Sequence, residues 1–182
     1  MIITISGKPC TGKSTMAEIF CKKYGFDRIY AGGIFKSIAM ERGVDILELV
    51  KSADVVSVDH EVDERLKKIY QERLDEDVLI ESRTSWSFMP EAFNVFIDVS
   101  DDVMAARLFN SDRTEKERGE SIDEARNKVV SRYNEDVERY KKLYNIDCSK
   151  LSNYDFVVDN SNMTPEETAD KIYEAYKNYI NK

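Results

Sequence analysis

The sequence predicts an α/β fold in which a parallel β-sheet is covered by helices on both faces. Short β-branched segments alternate with segments of helical character along the whole chain, and this alternation is typical of a parallel sheet with crossover helices. A glycine-containing loop follows the first of these strands directly and opens a helix. The chain has 182 residues, 42% of them apolar and 34% charged, which suits a single core. We therefore expect residues 1–182 to form one domain.

Five segments are predicted to be strands because they are short and rich in β-branched or aromatic residues. They are Met1–Ser6, Arg28–Tyr30, Val78–Glu81, Phe93–Val99 and Phe156–Asp159. The helices are predicted at Ser14–Tyr24, Ile34–Arg42, 44–73, Asp101–Asn110, 121–145 and from Thr164 onward. The segment 44–73 is expected to form two helices that meet near Asp54–Ser57. Its acidic part, Asp59–Glu64, is expected to be a solvated helix face.

Several helix ends carry local signals. Gly25 is suited to end the first helix, because glycine readily adopts the left-handed conformation found at helix C-termini. Ser121 and Glu124 have the spacing of a capping box at the start of the long helix. Thr164, followed by Pro165 and two acidic residues, predicts the start of the closing helix.

Charge and composition exclude some classes of function. The formal net charge is −8, so the chain cannot coat nucleic acid or an anionic membrane by bulk electrostatics. No apolar run approaches the roughly 20 residues that span a bilayer, and the N-terminus shows no secretion signal. The three cysteines have no metal-ligand spacing, which favours a reducing compartment. We expect a cytoplasmic monomer that binds neither nucleic acid nor membrane.

The most specific motif is a phosphate-binding loop, which we call the cradle. It fits the pattern G-x-x-x-x-G-K-[ST] at every fixed position and consists of Gly7, Lys8, Pro9, Cys10, Thr11, Gly12, Lys13 and Ser14, with Thr15 beside it. Its two glycines let successive backbone N–H groups point at phosphates. Lys13 is predicted to reach the β- and γ-phosphates of ATP, and Ser14 to offer its hydroxyl to Mg²⁺. The position after a strand and before a helix separates the motif from a chance match.

A second ligand for Mg²⁺ is expected at the end of a neighbouring strand. Glu81 follows a buried strand directly and is the candidate for holding a water on the metal ion. Asp98 and Asp159 also lie at strand ends and are the alternatives.

An acceptor that carries a phosphate needs cations of its own. Arg132, Asp136 and Arg139 are spaced i, i+4, i+7, so they lie within a narrow arc of one helical face. Such a face can bind a phosphate through its arginines and a base amino group through its carboxylate. A solvated salt-bridge ladder uses the same spacing and stays an alternative interpretation.

The chain resembles the cytidylate kinase family of P-loop nucleoside monophosphate kinases, in particular its short, single-domain members from archaea and bacteria. The resemblance runs nearly end to end and is carried by Ile2–Gly7 with the cradle, Ala31–Lys36, Glu81–Arg83, Trp86–Pro90, Arg132–Asp147, Tyr154–Asp155 and Thr164–Glu167. It implies a doubly wound five-stranded parallel core. It also implies an acceptor-binding segment at about 31–73 and a mobile lid at about 107–139.

The resemblance also implies roles for single residues. Gly32, Lys36, Arg83, Arg132 and Arg139 would meet the acceptor nucleotide, with Asp136 on the cytosine amino group, and Arg107 and Arg113 would help to hold ATP. Lys13, Arg83, Arg132 and Arg139 would act directly in phosphoryl transfer. Three positions depart from the family pattern, since Ala31 replaces serine, Lys36 replaces arginine and Ser82 replaces glycine.

The function predicted from the sequence is therefore ATP·Mg-dependent phosphoryl transfer to a nucleoside monophosphate, CMP or dCMP in the first place. A P-loop kinase for another small acceptor and an ATP-binding regulatory protein without turnover are the alternatives. Retention of both the cradle and the acceptor-side arginines favours an enzyme over the regulatory protein.

Overall fold

The structure is a computed structural model that describes residues 1–52 and 55–181. Its strands are β1 (Ile2–Gly7), β2 (Asp27–Tyr30), β3 (Val78–Glu81), β4 (Phe93–Asp98) and β5 (Phe156–Asp159). Its helices are α1 (Lys13–Tyr24), α2 (Ala31–Glu41), α3 (Ile46–Lys51), α4 (Val55–Glu72), α5 (Asp101–Phe109), α6 (Glu115–Arg118), α7 (Ile122–Tyr144) and α8 (Pro165–Ile180). Two short 3-10 turns lie at Ser85–Ser87 and Leu151–Asn153.

The five strands form one parallel sheet in the order β2-β3-β1-β4-β5. The apolar strand β1 lies at its centre and is buried along its whole length, as a strand covered on both faces should be. The chain builds β2 and β3 on one side of β1 and then β4 and β5 on the other. This arrangement confirms the doubly wound fold, and it places a ligand crevice at the carboxyl ends of the strands beside β1.

Two core layers enclose the sheet. Because alternate residues of a strand point to opposite faces, neighbouring residues of β1 enter different layers. Ile3 and Ile5 pack with Phe20 of α1 and Ile172 of α8. Ile2, on the other face, packs with buried residues of α2 and α4 that include Ile38, Ala39, Val58 and Leu66. A third apolar cluster joins α5 to α7 and so fixes the long helix beside the carboxyl edge of the sheet.

The predicted helix ends are confirmed with one correction. Gly25 ends α1 with φ of 77°, and Thr164 forms a full capping box with Glu167 at the start of α8. At the start of α7, Ser121 Oγ accepts from the Glu124 N–H. The Glu124 carboxylate accepts from the Glu120 N–H instead of closing the box on Ser121. The capping box predicted at Ser121 is therefore only half formed.

Two helical segments differ from their predicted bounds. Helix α2 begins at Ala31 rather than Ile34, so Gly32 belongs to its first turn. A Cβ atom at Gly32 would lie 2.5 Å from the Tyr30 ring, so glycine is what allows that ring to pack there. The junction predicted near Asp54–Ser57 falls partly outside the described residues, because Asp54 is not among them; Val55 already opens α4. Within the described ranges, no helix is both long and apolar enough to cross a membrane.

Candidate active site

The cradle connects β1 to α1 at the carboxyl edge of the sheet. Gly7 has φ of 148°, and a Cβ atom there would lie 2.3 Å from the Ile97 carbonyl oxygen of the adjacent strand β4. No side chain can therefore replace Gly7 without moving the strand. Gly12 takes φ of 78° at the start of α1, and Cys10 also has a positive φ, of 55°. These three residues with positive φ bend the loop closely around the N-terminus of α1, where an anion is stabilised.

Lys13 is folded back over the cradle. Its Nζ donates to the carbonyl oxygens of Gly7 at 2.9 Å and Lys8 at 2.6 Å, and it lies 3.3 Å from Thr11 Oγ1. Burial, with the positive charge of Arg83 nearby, lowers the pKa of Lys13 to about 7. The ammonium group thus lies in a place where its own charge is disfavoured and where an anion would stabilise it.

The outer part of the cradle is anchored by two residues from distant elements. The Thr11 carbonyl oxygen accepts from Asn160 Nδ2 at 2.7 Å and from Arg107 Nη1 at 3.3 Å. Arg107 also donates to Asn160 Oδ1 at 3.1 Å and to the Asn160 carbonyl oxygen at 3.0 Å. Arg107 was predicted to help hold ATP, and the structure places it against the cradle backbone. Asn160 was missed, and its position just after β5 was the available signal.

Ser14 and Glu81, the predicted metal ligands, lie in contact. Ser14 Oγ donates to Glu81 Oε1 at 2.7 Å, and Arg28 Nη2 donates to Glu81 Oε2 at 2.7 Å. Asp98 instead pairs with Lys8 at 2.8 Å, and Asp159 accepts from Ser161. Two oxygen ligands beside a phosphate-binding loop fit Mg²⁺, which is usually held by one or two carboxylates together with substrate phosphates. Arg28 was not predicted from the sequence.

A cleft of about 860 Å³ extends from the cradle between the sheet edge and the helices. Its walls come from the end of β2, the start of α2, α3 and α4, the segment after β3, and α7. It brings together the predicted site residues Lys13, Gly32, Glu81, Arg83, Arg132, Asp136 and Arg139. The predicted donor end and acceptor end are therefore two parts of one continuous cavity.

Two predicted cations lie elsewhere. Lys36 is exposed on α2, where the neighbouring Phe35 lines the cleft instead. Arg113 is exposed in the loop between α5 and α6, and its charge acts on Arg132. Their contacts with nucleotide stay predictions.

The acceptor part of the cleft is dominated by charged side chains of α7 and of the segment after β3. Asp136 is buried, and its Oδ2 pairs with Arg83 while its Oδ1 lies 3.2 Å from Arg139 Nη2. Arg132 lines the cleft although it is exposed to solvent, and partial desolvation, followed by the charges of Arg83 and Arg113, lowers its pKa. The triplet Arg132, Asp136 and Arg139 thus faces the cleft and is not a solvated salt-bridge ladder.

The acidic stretch of α4 does not have the environment that was predicted for it. Asp59–Glu64 was expected to be a solvated helix face, but Asp63 is 6% exposed and the Asp59 side chain 12% exposed, and both line the cleft. Asp63 Oδ1 accepts from Thr84 Oγ1 at 2.7 Å. Burial raises the pKa of both carboxyl groups. The packing of α4 beside α7 encloses these side chains, and that packing has no signature in the local pattern.

The fold and the cradle together define a P-loop kinase fold. Solved structures support the fold: an uncharacterized protein from Eubacterium ventriosum has a TM-score of 0.73 at 14% identity and covers 98% of either chain. Shikimate kinase from Bacteroides thetaiotaomicron has a TM-score of 0.68 at 16% identity, covering 97% of this chain and 98% of that one. At such identities these likenesses concern the fold alone.

The chain belongs to the cytidylate kinase-like family, whose family model matches residues 2–162. Among curated relatives, a cytidylate kinase from Methanopyrus kandleri is 32% identical over 176 residues, which are 92% of this chain and 89% of the relative. A cytidylate kinase from Pyrococcus abyssi is 34% identical over 168 residues, or 91% and 88% of the two chains. The resemblance inferred from the sequence is confirmed, and the chain is an enzyme of the nucleoside monophosphate kinase class.

Proposed function

We propose that this chain transfers the γ-phosphate of ATP to CMP or dCMP in the presence of Mg²⁺, giving CDP or dCDP. The observation that carries the proposal is the continuous cleft that joins Lys13 and Glu81 to Arg83, Arg132 and Arg139. Two curated cytidylate kinases are similar to this chain over most of its length, and this similarity supports the choice of acceptor.

At the donor end, the backbone N–H groups of residues 7–15, apart from Pro9, which has none, and the N-terminus of α1 bind the β- and γ-phosphates. Lys13 exchanges its hydrogen bonds to the Gly7 and Lys8 carbonyl oxygens for bonds to phosphate oxygens, which restores the stability of its charge. Arg107 and Asn160 keep the outer part of the loop in place through the Thr11 carbonyl oxygen. The ATP contacts proposed for Arg107 and Arg113 add charge from the lid side.

Ser14 and Glu81 hold Mg²⁺ in this proposal. When bound, the ion neutralises phosphate charge and aligns the γ-phosphate for transfer. Arg28 fixes the Glu81 carboxylate from the side opposite Ser14.

At the acceptor end, Arg83, Arg132 and Arg139 bind the acceptor phosphate, with Gly32 and Lys36 contributing from the segment 31–73. The mutual repulsion of these cations is relieved when a phosphate dianion enters. The acceptor oxygen is already anionic, so it needs no general base, and the remaining task is positioning and electrostatic stabilisation.

The segment 107–139 is proposed to act as the lid. It contains α6 and most of α7, and Glu117 of α6 already lines the cleft. Closure over both nucleotides would exclude water and so prevent hydrolysis of ATP.

A coupled ADP-release assay tests the proposal. The purified chain is mixed with ATP·Mg²⁺ and, separately, CMP, dCMP, UMP, AMP or GMP, with the Lys13→Ala variant as a blank and the exposed Lys22→Ala variant of the same helix as a matched control. We expect fast turnover with CMP or dCMP and slow turnover with the rest. Turnover with another nucleotide alone would replace the acceptor, and nucleotide binding without any turnover would support a regulatory protein.

A further inference from the structure

Arg28 is a charged residue of the edge strand β2 that reaches the metal end of the cleft. In the parallel pairing of β2 with β3, Tyr30 is the register partner of Glu81. Arg28 lies two residues before Tyr30, so its side chain is on the same face of the sheet as that of Glu81. Arg28 Nη2 donates to Glu81 Oε2 at 2.7 Å, and the Glu81 side chain is only 7% exposed.

The position of Arg28 depends on Glu81 and on the ring of Tyr30. The Arg28 guanidinium lies over this ring, 5.4 Å from its centroid. Its Nε is shielded from solvent and has no hydrogen-bond partner within residues 1–52 and 55–181. The pairing with Glu81 is therefore the polar contact that holds the Arg28 side chain, and a change at Arg28 acts mainly on Glu81.

Both carboxylate oxygens of Glu81 are engaged, one on each side. Ser14 Oγ donates to Oε1 at 2.7 Å, and Arg28 occupies Oε2. Oε1 is therefore the oxygen that can turn to a metal ion or to a water on that ion, with Ser14 as its neighbour. Arg28 balances the charge of Glu81, and Lys13 adds a further cation close to it. Together these three charged residues offer no net negative charge that would attract a divalent cation.

Nucleotide phosphates would supply the missing negative charge. Mg²⁺ is usually held by one or two carboxylates together with substrate phosphates, and it gives up its water reluctantly. The Arg28 cation repels a divalent ion that has only the Glu81 carboxylate to bind. The phosphates of a bound nucleotide outweigh that repulsion, so they decide whether the ion enters.

We propose that Arg28 is a positioning residue that balances the charge of Glu81 and leaves one of its oxygens available, so that the site takes a divalent cation only together with a nucleotide. The inference rests on the metal site of the proposed function and deepens it. It gives a role to strand β2, which supplies none of the site residues predicted from the sequence.

The test compares two variants that separate charge from hydrogen bonding. Arg28→Gln keeps a donor for Glu81 and loses the charge, whereas Arg28→Lys keeps the charge and loses the planar fork. Mn²⁺ serves as the probe, and electron paramagnetic resonance measures its binding to the chain without nucleotide. We expect Arg28→Gln to bind Mn²⁺ roughly tenfold more tightly than wild type, because one nearby positive charge is gone. Arg28→Lys should stay close to wild type.

A second titration, with saturating ADP, measures the coupling between metal and nucleotide. In the wild-type chain ADP should strongly increase the affinity for Mn²⁺. In Arg28→Gln this increase should be about tenfold smaller, because the nucleotide-free site already binds the ion. In the kinase assay, kcat of Arg28→Gln should fall while the KM for CMP stays within about threefold of wild type, a split that general damage to the fold would not give.

Two controls locate the effect. Arg73→Gln removes an exposed ion pair with Asp27 of the same strand β2, and it should change neither titration. The double variant Arg28→Gln with Glu81→Gln should lose the added affinity for Mn²⁺, because the carboxylate that attracts the ion is gone. Added affinity that persists in the double variant would belong to another part of this acidic chain and would overturn the proposal.

The outcomes separate this inference from the proposed function. If the wild-type chain phosphorylates CMP but binds Mn²⁺ without nucleotide as tightly as Arg28→Gln does, the role of Arg28 is overturned and the proposed function stands. If both titrations behave as expected but no monophosphate is phosphorylated, the proposed function is overturned and the role of Arg28 stands. If Arg28→Lys binds Mn²⁺ as tightly as Arg28→Gln does, charge is not the cause and the role of Arg28 is overturned.

Discussion

The donor end and the acceptor end of the cleft are built in different ways. The donor end is a contiguous loop between β1 and α1, held mainly by backbone groups such as the Gly7, Lys8 and Thr11 carbonyl oxygens. The acceptor end is assembled from α2, α4, the segment after β3 and α7, and it is held by charged side chains. The chemistry of the first therefore depends on local spacing, and that of the second on how distant elements pack.

The largest expected effect is at the donor end. Lys13→Ala removes the charge that the cradle supplies to the transferred phosphate, so kcat should fall roughly 10³-fold, as it does when a central transition-state donor is removed. The assay is steady-state ADP release, with circular dichroism to confirm the fold. A fall of less than tenfold would show that the cradle does not supply the decisive charge.

A smaller effect should appear at the acceptor end. Arg83→Met removes one of several cations and leaves Asp136 with Arg139 alone, so kcat/KM for the acceptor should fall about 10²-fold. The Kd for ATP, measured by fluorescence titration, should stay within about threefold of the wild-type value. The matched control is Arg126→Met on the exposed part of α7. An equal loss for both nucleotides would contradict the division of the cleft into two ends.

Removal of the side chain that anchors the cradle should have a still smaller effect. Asn160→Ala leaves the buried Thr11 carbonyl oxygen with Arg107 as its remaining side-chain donor, so the free energy of unfolding should fall by about 1–2 kcal/mol. The displaced loop should also lower kcat roughly tenfold. Urea unfolding and the kinase assay provide the two values, with exposed Asn127→Ala as control. Normal kinetics with reduced stability would restrict Asn160 to a structural role.

The smallest expected effect is a pH dependence at the acceptor end. Burial raises the pKa of Asp63, so the folded chain binds its proton more tightly than the unfolded chain does. The contribution of Asp63 to stability is then fully present below its ordinary pKa and is lost as pH rises through the raised value. The Asp63→Asn variant keeps an acceptor for Thr84 and cannot ionise. Its free energy of unfolding relative to wild type should therefore increase as the pH rises from the ordinary pKa of the carboxyl group through its raised value. Urea unfolding at several pH values checks this, and a constant difference would contradict it.

The sequence predicted the parts whose signals are local. The alternation of strands and helices predicted the sheet, and the spacing of Gly7, Gly12, Lys13 and Ser14 predicted the cradle. Glu81 was predicted to face the Mg²⁺ site because it lies at a strand end and the carboxyl ends of parallel strands meet at one edge of the sheet. Its contact with Ser14 agrees with that prediction.

The residues missed are those whose environment depends on tertiary packing. Asp59 and Asp63 belong to a stretch with the composition of a solvated helix, and only the position of α4 beside the cleft encloses them. Arg28 lies within β2, and Asn160 directly follows β5. The position of Asn160 indicates the carboxyl edge of the sheet, but for neither residue does the neighbouring sequence indicate the partner, which lies more than fifty residues away in the chain.

The carboxylate of Asp136 lies between two guanidinium groups and keeps both of them extended toward the cleft. An arginine side chain that is free in solution loses up to about 2 kcal/mol of conformational entropy when it is fixed. Arg83 and Arg139 have given up part of this freedom during folding. The encounter with a nucleotide thus starts from side chains that are already ordered, and more of the attraction between phosphate and guanidinium is expressed as affinity.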